Sequence, residues 1–202
     1  MTEFPAFIAE DQGNGRVSGS VKTLTLDKLP AGDVTIDIEY SSLNFKDALA
    51  STGQNKIAAG YPHVPGIDCA GTVADSAHPA WKRGDRVLVH AYDFGAGRFG
   101  GYARYGRVPA EWVVRIPDAL STFEAMAIGT AGYTAAMALL AIELNGVKPT
   151  DGPVLVTGID RRRRLSGGGS VRGGEVSGGG EHGEARAPRV VAQPRRERDP
   201  HA

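Results

Sequence analysis

The sequence predicts a mainly β domain that gives way to helices and the first strand of an α/β domain, and then to a tail of different chemistry. Three observations carry this expectation. Residues up to about 120 fall into short alternating runs separated by Gly and Pro turns. Beyond them the apolar spacing lengthens to that of a helix. After Gly158 come nine Gly, ten Arg and three Pro in 44 residues, without one aromatic side chain.

The plainest strand runs from Val34 to Tyr40. Val34, Ile36, Ile38 and Tyr40 are expected on a buried face, and Thr35, Asp37 and Glu39 on a wet one. Pro30-Ala31-Gly32-Asp33 supplies the turn before it. Further strands are expected at 66–75, 85–91, 102–108 and 112–116, with Gly84-Asp85 in a turn and Pro117-Asp118 closing the series. Many short strands with such turns favour a small β-barrel or sandwich over residues 1–120.

Residues 121–158 change register. Ser121-Thr122-Phe123-Glu124 forms a capping box, in which the Ser oxygen and the Glu carboxylate meet amide donors at a helix start. Apolar residues follow to Ile128. A second helix, Tyr133 to Leu144, is stopped by Asn145-Gly146, and Lys148-Pro149 forbids its continuation. Pro153-Val154-Leu155-Val156-Thr157-Gly158 then reads as a buried strand of the parallel type. Residues 159–202 carry no helical or strand period. They bury too little apolar area to offset their ordering entropy, and disorder is expected there.

The chain has 202 residues with 23 basic and 23 acidic side chains, so its formal charge is zero. That balance hides a tail of +4 and a body of −4. The body therefore offers no basic face to nucleic acid or to a membrane. Met-Thr-Glu-Phe-Pro at the start lacks the basic and apolar regions of a signal peptide, and no stretch is read as apolar enough for a membrane helix. One cysteine excludes a disulfide framework and a four-thiolate zinc site. A cytoplasmic location is the expectation.

Four segments together resemble the medium-chain dehydrogenase/reductase superfamily: Ser41 to Ala50 (SSLNFKDALA), Val64 to Val73 (VPGIDCAGTV), Gly100-Gly101-Tyr102-Ala103, and Ile128 to Ala135 (IGTAGYTA). Their order and spacing are similar to the zinc-free quinone-oxidoreductase group that includes NADPH-dependent acrylyl-CoA reductases. The resemblance covers roughly residues 4 to 158. It implies a GroES-like β-barrel catalytic domain followed by a Rossmann domain, here incomplete. It also implies a cytoplasmic enzyme, a homodimer whose interface would lie in the missing part, NADPH as cofactor, and an enoyl-CoA or quinone as substrate.

Zinc-dependent relatives place Cys near the Asn44 position and His-Glu where Ile67-Asp68 stand. Asn and Ile are not zinc ligands, and Cys69 alone cannot build a site, so no metal is expected. The resemblance puts Asn44 and Asp47 in catalytic positions, near the nicotinamide and the acceptor. Read without it, both residues cap turns and short helices after strands. Phe45 stands where this branch usually has Tyr, at a cofactor-contacting position. The ring can still pack there, but the hydroxyl is gone. Thr130 and Thr134 fall in a stretch resembling a cofactor contact, and their hydroxyls could equally serve backbone carbonyls near helix ends. Gly158 is what remains of the glycine-rich turn that would bring backbone to a pyrophosphate. Gly66 and Gly71 are expected to be structural, Cys69 a small core residue, and His63, His78 and His90 surface or turn residues.

In the family Val-Thr-Gly continues into a glycine-rich turn. Here it continues into Ile-Asp-Arg-Arg-Arg-Arg-Leu. Gly-Gly-Val-Gly-Ser spelled out of frame gives Arg-Arg-Arg-Leu, matching Arg162 to Leu165, and Gly179 to Arg186 is compatible with a second family segment in the same frame. A frame-shifted, truncated product is the expectation. Two further readings stay open: a non-catalytic barrel without cofactor binding, and a nucleic-acid binder using the Arg/Gly tail. That tail lacks the aromatic residues that would stack on bases.

Overall fold

The computed structural model describes residues 2–152, 154–155 and 189–190. The strands in order are β1 (Glu3–Asp11), β2 (Val17–Thr25), β3 (Val34–Tyr40), β4 (Asp68–Ser76), β5 (Arg86–His90), β6 (Tyr105–Val108), β7 (Val114–Arg115), β8 (Val154–Leu155) and β9 (Arg189–Val190). The helices are α1 (Phe45–Thr52) and α2 (Thr122–Leu144). The chain divides into two compact units, the break falling between Thr130 and Ala131.

The first unit is mainly β. β3 to β7 form an antiparallel sheet in the order β6-β3-β4-β5-β7, and β1 and β2 pair as a separate hairpin. β1 is sewn to the loops beside the sheet. Phe7 N–H donates to the Tyr102 carbonyl at 2.7 Å, Ala9 and His63 exchange backbone bonds at 2.8 and 2.9 Å, and Arg104 N–H reaches Pro5 O at 3.0 Å. These bridges continue the sheet around its own core, which is how a small sheet escapes bare edges.

The core follows the period-2 pattern. Val34, Ile36 and Ile38 of β3 pack with Cys69, Val73, Val87, Val89, Phe94 and Val108. Each such burial is worth roughly 1.5–3 kcal/mol. β3 has the bounds the sequence predicts, but two of its side chains depart from the alternation. Thr35 is buried, because its hydroxyl accepts a bond from Arg107 Nε at 3.0 Å. Tyr40 is exposed at the strand end and packs edge-to-face on Phe123, ring centres 5.5 Å apart. Gly71 lets β4 approach β3: a Cβ there would lie 2.0 Å from the Asp37 carbonyl oxygen.

The β1–β2 hairpin has no counterpart among the predicted strands. Its signal was the alternation Phe4, Ala6, Ile8, all buried, followed by a Gly13-Asn14-Gly15 turn with positive φ at all three residues. His63 is a correction. It is buried rather than at the surface, with its ring Nε2 3.0 Å from the Gly95 carbonyl oxygen and its edge against Phe99. Burial pushes its pKa down. Cys69 is buried as expected, and burial raises its thiol pKa.

The two expected helices form one element with a break. Ser121 and Glu124 make the capping box, with Ser121 N–H to Glu124 Oε2 at 2.8 Å and Glu124 N–H to Ser121 Oγ at 3.1 Å. Ala125 and Met126 then pack on Ala70 and Ile116 of the barrel. Gly129 interrupts α2 with φ 50° and ψ −163°. The second segment ends where Asn145-Gly146 predicts, with φ 87° at Gly146 and Val147 N–H bonding back to Ile142 O.

By length and apolarity, α2 meets the membrane-helix test that the sequence reading held no stretch to meet: 23 residues, hydropathy 1.6. The break at Gly129 answers it. The uninterrupted part from Thr130 to Leu144 spans only about 22 Å at 1.5 Å per residue, short of a ~30 Å hydrocarbon core.

In the second unit β8 pairs antiparallel with β9, Val154 opposite Val190 and Leu155 opposite Arg189. The expected parallel pairing is therefore not what these residues make. β9 also falls within the segment expected to lack strands. The rest of that expectation, residues 159–188 and 191–202, and Gly158 with it, lies outside the described residues.

Candidate active site

Three of the four motif segments close around one buried carboxylate, Asp47. The chain leaves β3 through Ser41 to Asn44 and enters α1, where Asn44 is the N-cap and Asp47 the third helical residue. Asp47 is 2% exposed. Its Oδ2 accepts the Asn44 N–H at 2.8 Å and faces the Tyr102 hydroxyl at 3.1 Å, and its Oδ1 accepts the Ile67 N–H at 2.9 Å. Burial is the largest cause of its raised pKa; nearby Asp68 adds to it, and the hydrogen bonds offset part.

The second carboxylate, Asp68, gathers the fourth segment as well. It is wholly buried at the start of β4. Its Oδ1 accepts from the Ser42 amide at 3.1 Å, and both oxygens lie within 2.7 Å of the Ser42 hydroxyl. Its Oδ2 accepts from the Thr130 amide at 3.0 Å and the Asn44 side-chain amide at 3.3 Å. Asn44 Nδ2 also donates to Ser42 Oγ at 3.0 Å. Among the described residues neither carboxylate has a Lys or Arg ion pair; neutral donors hold both.

The structure thus brings Asn44, Asp47 and the Thr130 amide into one network. Asn44 is half-buried at its rim, flanked in sequence by two exposed apolar side chains, Leu43 and Phe45, the latter 72% exposed. Thr134 is exposed and belongs to the second unit. Sequence reasoning missed Ser42, Asp68 and Tyr102. For Asp68 a signal existed: it is the one charged residue in the apolar run Val64 to Val73. His90 is half-buried on β5, directly opposite Asp68, rather than on the surface; burial lowers its pKa and the charge of Asp68 opposes that. Among the described residues no three His, Cys, Asp or Glu side chains form a group that could hold a metal ion.

The antiparallel sheet with its bridged hairpin is a GroES-like domain. Residues 30–118 match the alcohol dehydrogenase GroES-like domain family. The chain belongs to the medium-chain dehydrogenase/reductase superfamily. It is 44% identical over 151 residues to an acrylyl-CoA reductase of Ruegeria pomeroyi, which covers 75% of this chain and 46% of that protein. The yhdH oxidoreductase of Salmonella enterica, solved in complex with NADP, is 46% identical with a TM-score of 0.71, over 75% of this chain and 46% of its own. The yhfP protein of Bacillus subtilis carries a quinone oxidoreductase name. Its crystal structure with NAD bound is 45% identical with a TM-score of 0.74, over 78% of this chain and 48% of its own. The chain thus spans about half the length of the relatives it matches.

Proposed function

We propose that this chain is the barrel side of a zinc-independent, NADPH-dependent reductase that moves hydride to an activated C=C of an enoyl thioester or to a quinone. The observation that carries the reading is the meeting of all four family segments on Asp47 and Asp68, with Asn44 at the rim. The names of the relatives supply the acceptor classes. A cytoplasmic location belongs to the same reading.

Within it, Asn44 keeps the position beside the acceptor. Asp47 has a different part from the one its sequence position implies. Its carboxylate is enclosed and bonded to three donors, so it holds Asn44 and the Ile67 turn in place without touching substrate. Phe45 and Thr130 fit the nicotinamide side, because an exposed ring and a half-buried polar turn flank Asn44. Thr134 and Gly158 keep their cofactor roles only as part of the proposal. The nicotinamide, when bound, supplies the hydride. Asn44 and Ile67 stand where zinc relatives have ligands, so an acceptor already polarised by its thioester or quinone carbonyl suits the site.

After Gly158 the chain reads Ile-Asp-Arg-Arg-Arg-Arg, and Arg side chains cannot provide the close backbone approach that glycines give a pyrophosphate. The 202 residues as they stand are expected to give no saturable quenching of NADPH fluorescence at micromolar concentration. Joining residues 1–152 to the second half of the Ruegeria relative tests the function directly. Oxidation of NADPH by acrylyl-CoA or a benzoquinone is the expected result. A folded chimera that binds NADPH and reduces neither acceptor overturns the proposal.

A further inference from the structure

The break at Gly129 interrupts the helical geometry, and the segment beginning at Thr130 has a start of its own. The Thr130 N–H donates to Asp68 Oδ2 at 3.0 Å, from a residue 62 positions away in sequence. A carboxylate there both accepts that amide and meets the positive end of the helix dipole. The same oxygen accepts from the Asn44 side chain, while Ser42 supplies its amide and hydroxyl. Gly129 makes room for the arrangement. A Cβ there would stand 3.0 Å from Ser42 Oγ and 3.1 Å from Asp68 Oδ2.

We infer that Asp68 is a positioning residue: it caps, from the neighbouring strand, the Thr130 amide that follows the break at Gly129, and it holds the Asn44 side chain on the same carboxylate, so that Thr130 and Asn44 are fixed relative to each other. The functional half of this inference rests on the reading of Asn44 and Thr130 given under the proposed function; the cap does not. The titratable groups facing Asp68 are Asp47 on α1, His90 on β5 and its neighbour Cys69 on β4. From α2 it meets the neutral Thr130 amide.

The test is amide hydrogen exchange and nitrogen–proton NMR on the full chain and its Asp68→Asn variant. Asn keeps the shape but turns one acceptor oxygen into a donor that opposes the amides of Thr130, Asn44 or Ser42. Exchange at Thr130 is expected to quicken about tenfold or more, the loss of one charge-assisted bond. The Asn44 side-chain amide resonances should shift, and protection at Val87 and Val89 should remain. A folded variant with unchanged Thr130 exchange and unchanged Asn44 resonances overturns the inference. If Asp68→Asn does not fold, nitrogen–carbon NMR of the unaltered chain decides. A scalar coupling through the hydrogen bond, between the Thr130 amide nitrogen and the Asp68 carboxyl carbon, supports the cap, and its absence refutes it. Failure of the chimera to reduce either acceptor would remove the reductase reading, whereas these spectra judge the cap alone.

Discussion

Asp47 takes three hydrogen bonds in a place where burial raises its pKa above 3.8. For an acid whose folded pKa is raised, the folded state keeps its proton longer. Stability therefore falls as pH rises from 3.8 through the folded value, and the cost is complete above it. Asp47→Asn should flatten that slope. It should also lose about 1–3 kcal/mol at neutral pH in urea denaturation, because one of its donors then faces an amide NH2. The buried His63 acts in the opposite direction. Its folded pKa lies below 6.5, so the unfolded chain binds the extra proton, and stability drops as pH falls below about 6.5. His63→Gln should lessen the acid-side slope only in part, since His90 is shifted the same way. Denaturation midpoints across that range check both.

At the scale of elements, α2 is two helical segments meeting at a single glycine. An Ala at 129 must adopt φ 50° and ψ −163°, a region open essentially to glycine alone. Its Cβ would also press on Ser42 and Asp68. Gly129→Ala is expected to cost about 1–3 kcal/mol, read as a lowered urea midpoint, and to loosen the Thr130 amide. The ends of α2 were legible beforehand because capping chemistry is local: Ser121, Glu124 and Gly146 each act within a few residues. The partner of the Thr130 amide was not, since Asp68 lies far away in sequence. The hairpin of β1 and β2 shows the same limit. Gly19 and the exposed face of β2 give a weak strand signal, and pairing with β1 supplies what the residues lack.

For the whole molecule, the exposed apolar side chains of the second unit have a physical consequence. In the second unit Tyr133, Met137, Leu140 and Leu144 are exposed, Leu144 at 78%. Apolar residues left exposed in such numbers invite association. Replacing Leu140 and Leu144 together by Glu should reduce the scattering of concentrated solutions while leaving the barrel's thermal transition in place; unchanged scattering would mean that this face is not the sticky one. Sequencing the source DNA across the codons for Thr157 to Leu165 is expected to reveal a gained or lost base that restores the glycine turn. A confirmed reading would make the Arg run genuine.

The strands β3, β4, β5 and β6, the helix caps, the core cysteine and the family all follow from the chain by itself, because alternation, turn residues and capping act over short range. The surroundings of the candidate residues did not follow. Asn44 and Asp47 read alike in the sequence, and the fold gives them different surroundings: Asp47 is enclosed by Tyr102 and Ile67, while Asn44 stays at the rim. Asp68 stands alone as an acid inside an apolar run, and acquires its meaning from donors brought to it by two other segments. Burial, and the need to satisfy a buried charge, are decided by tertiary structure.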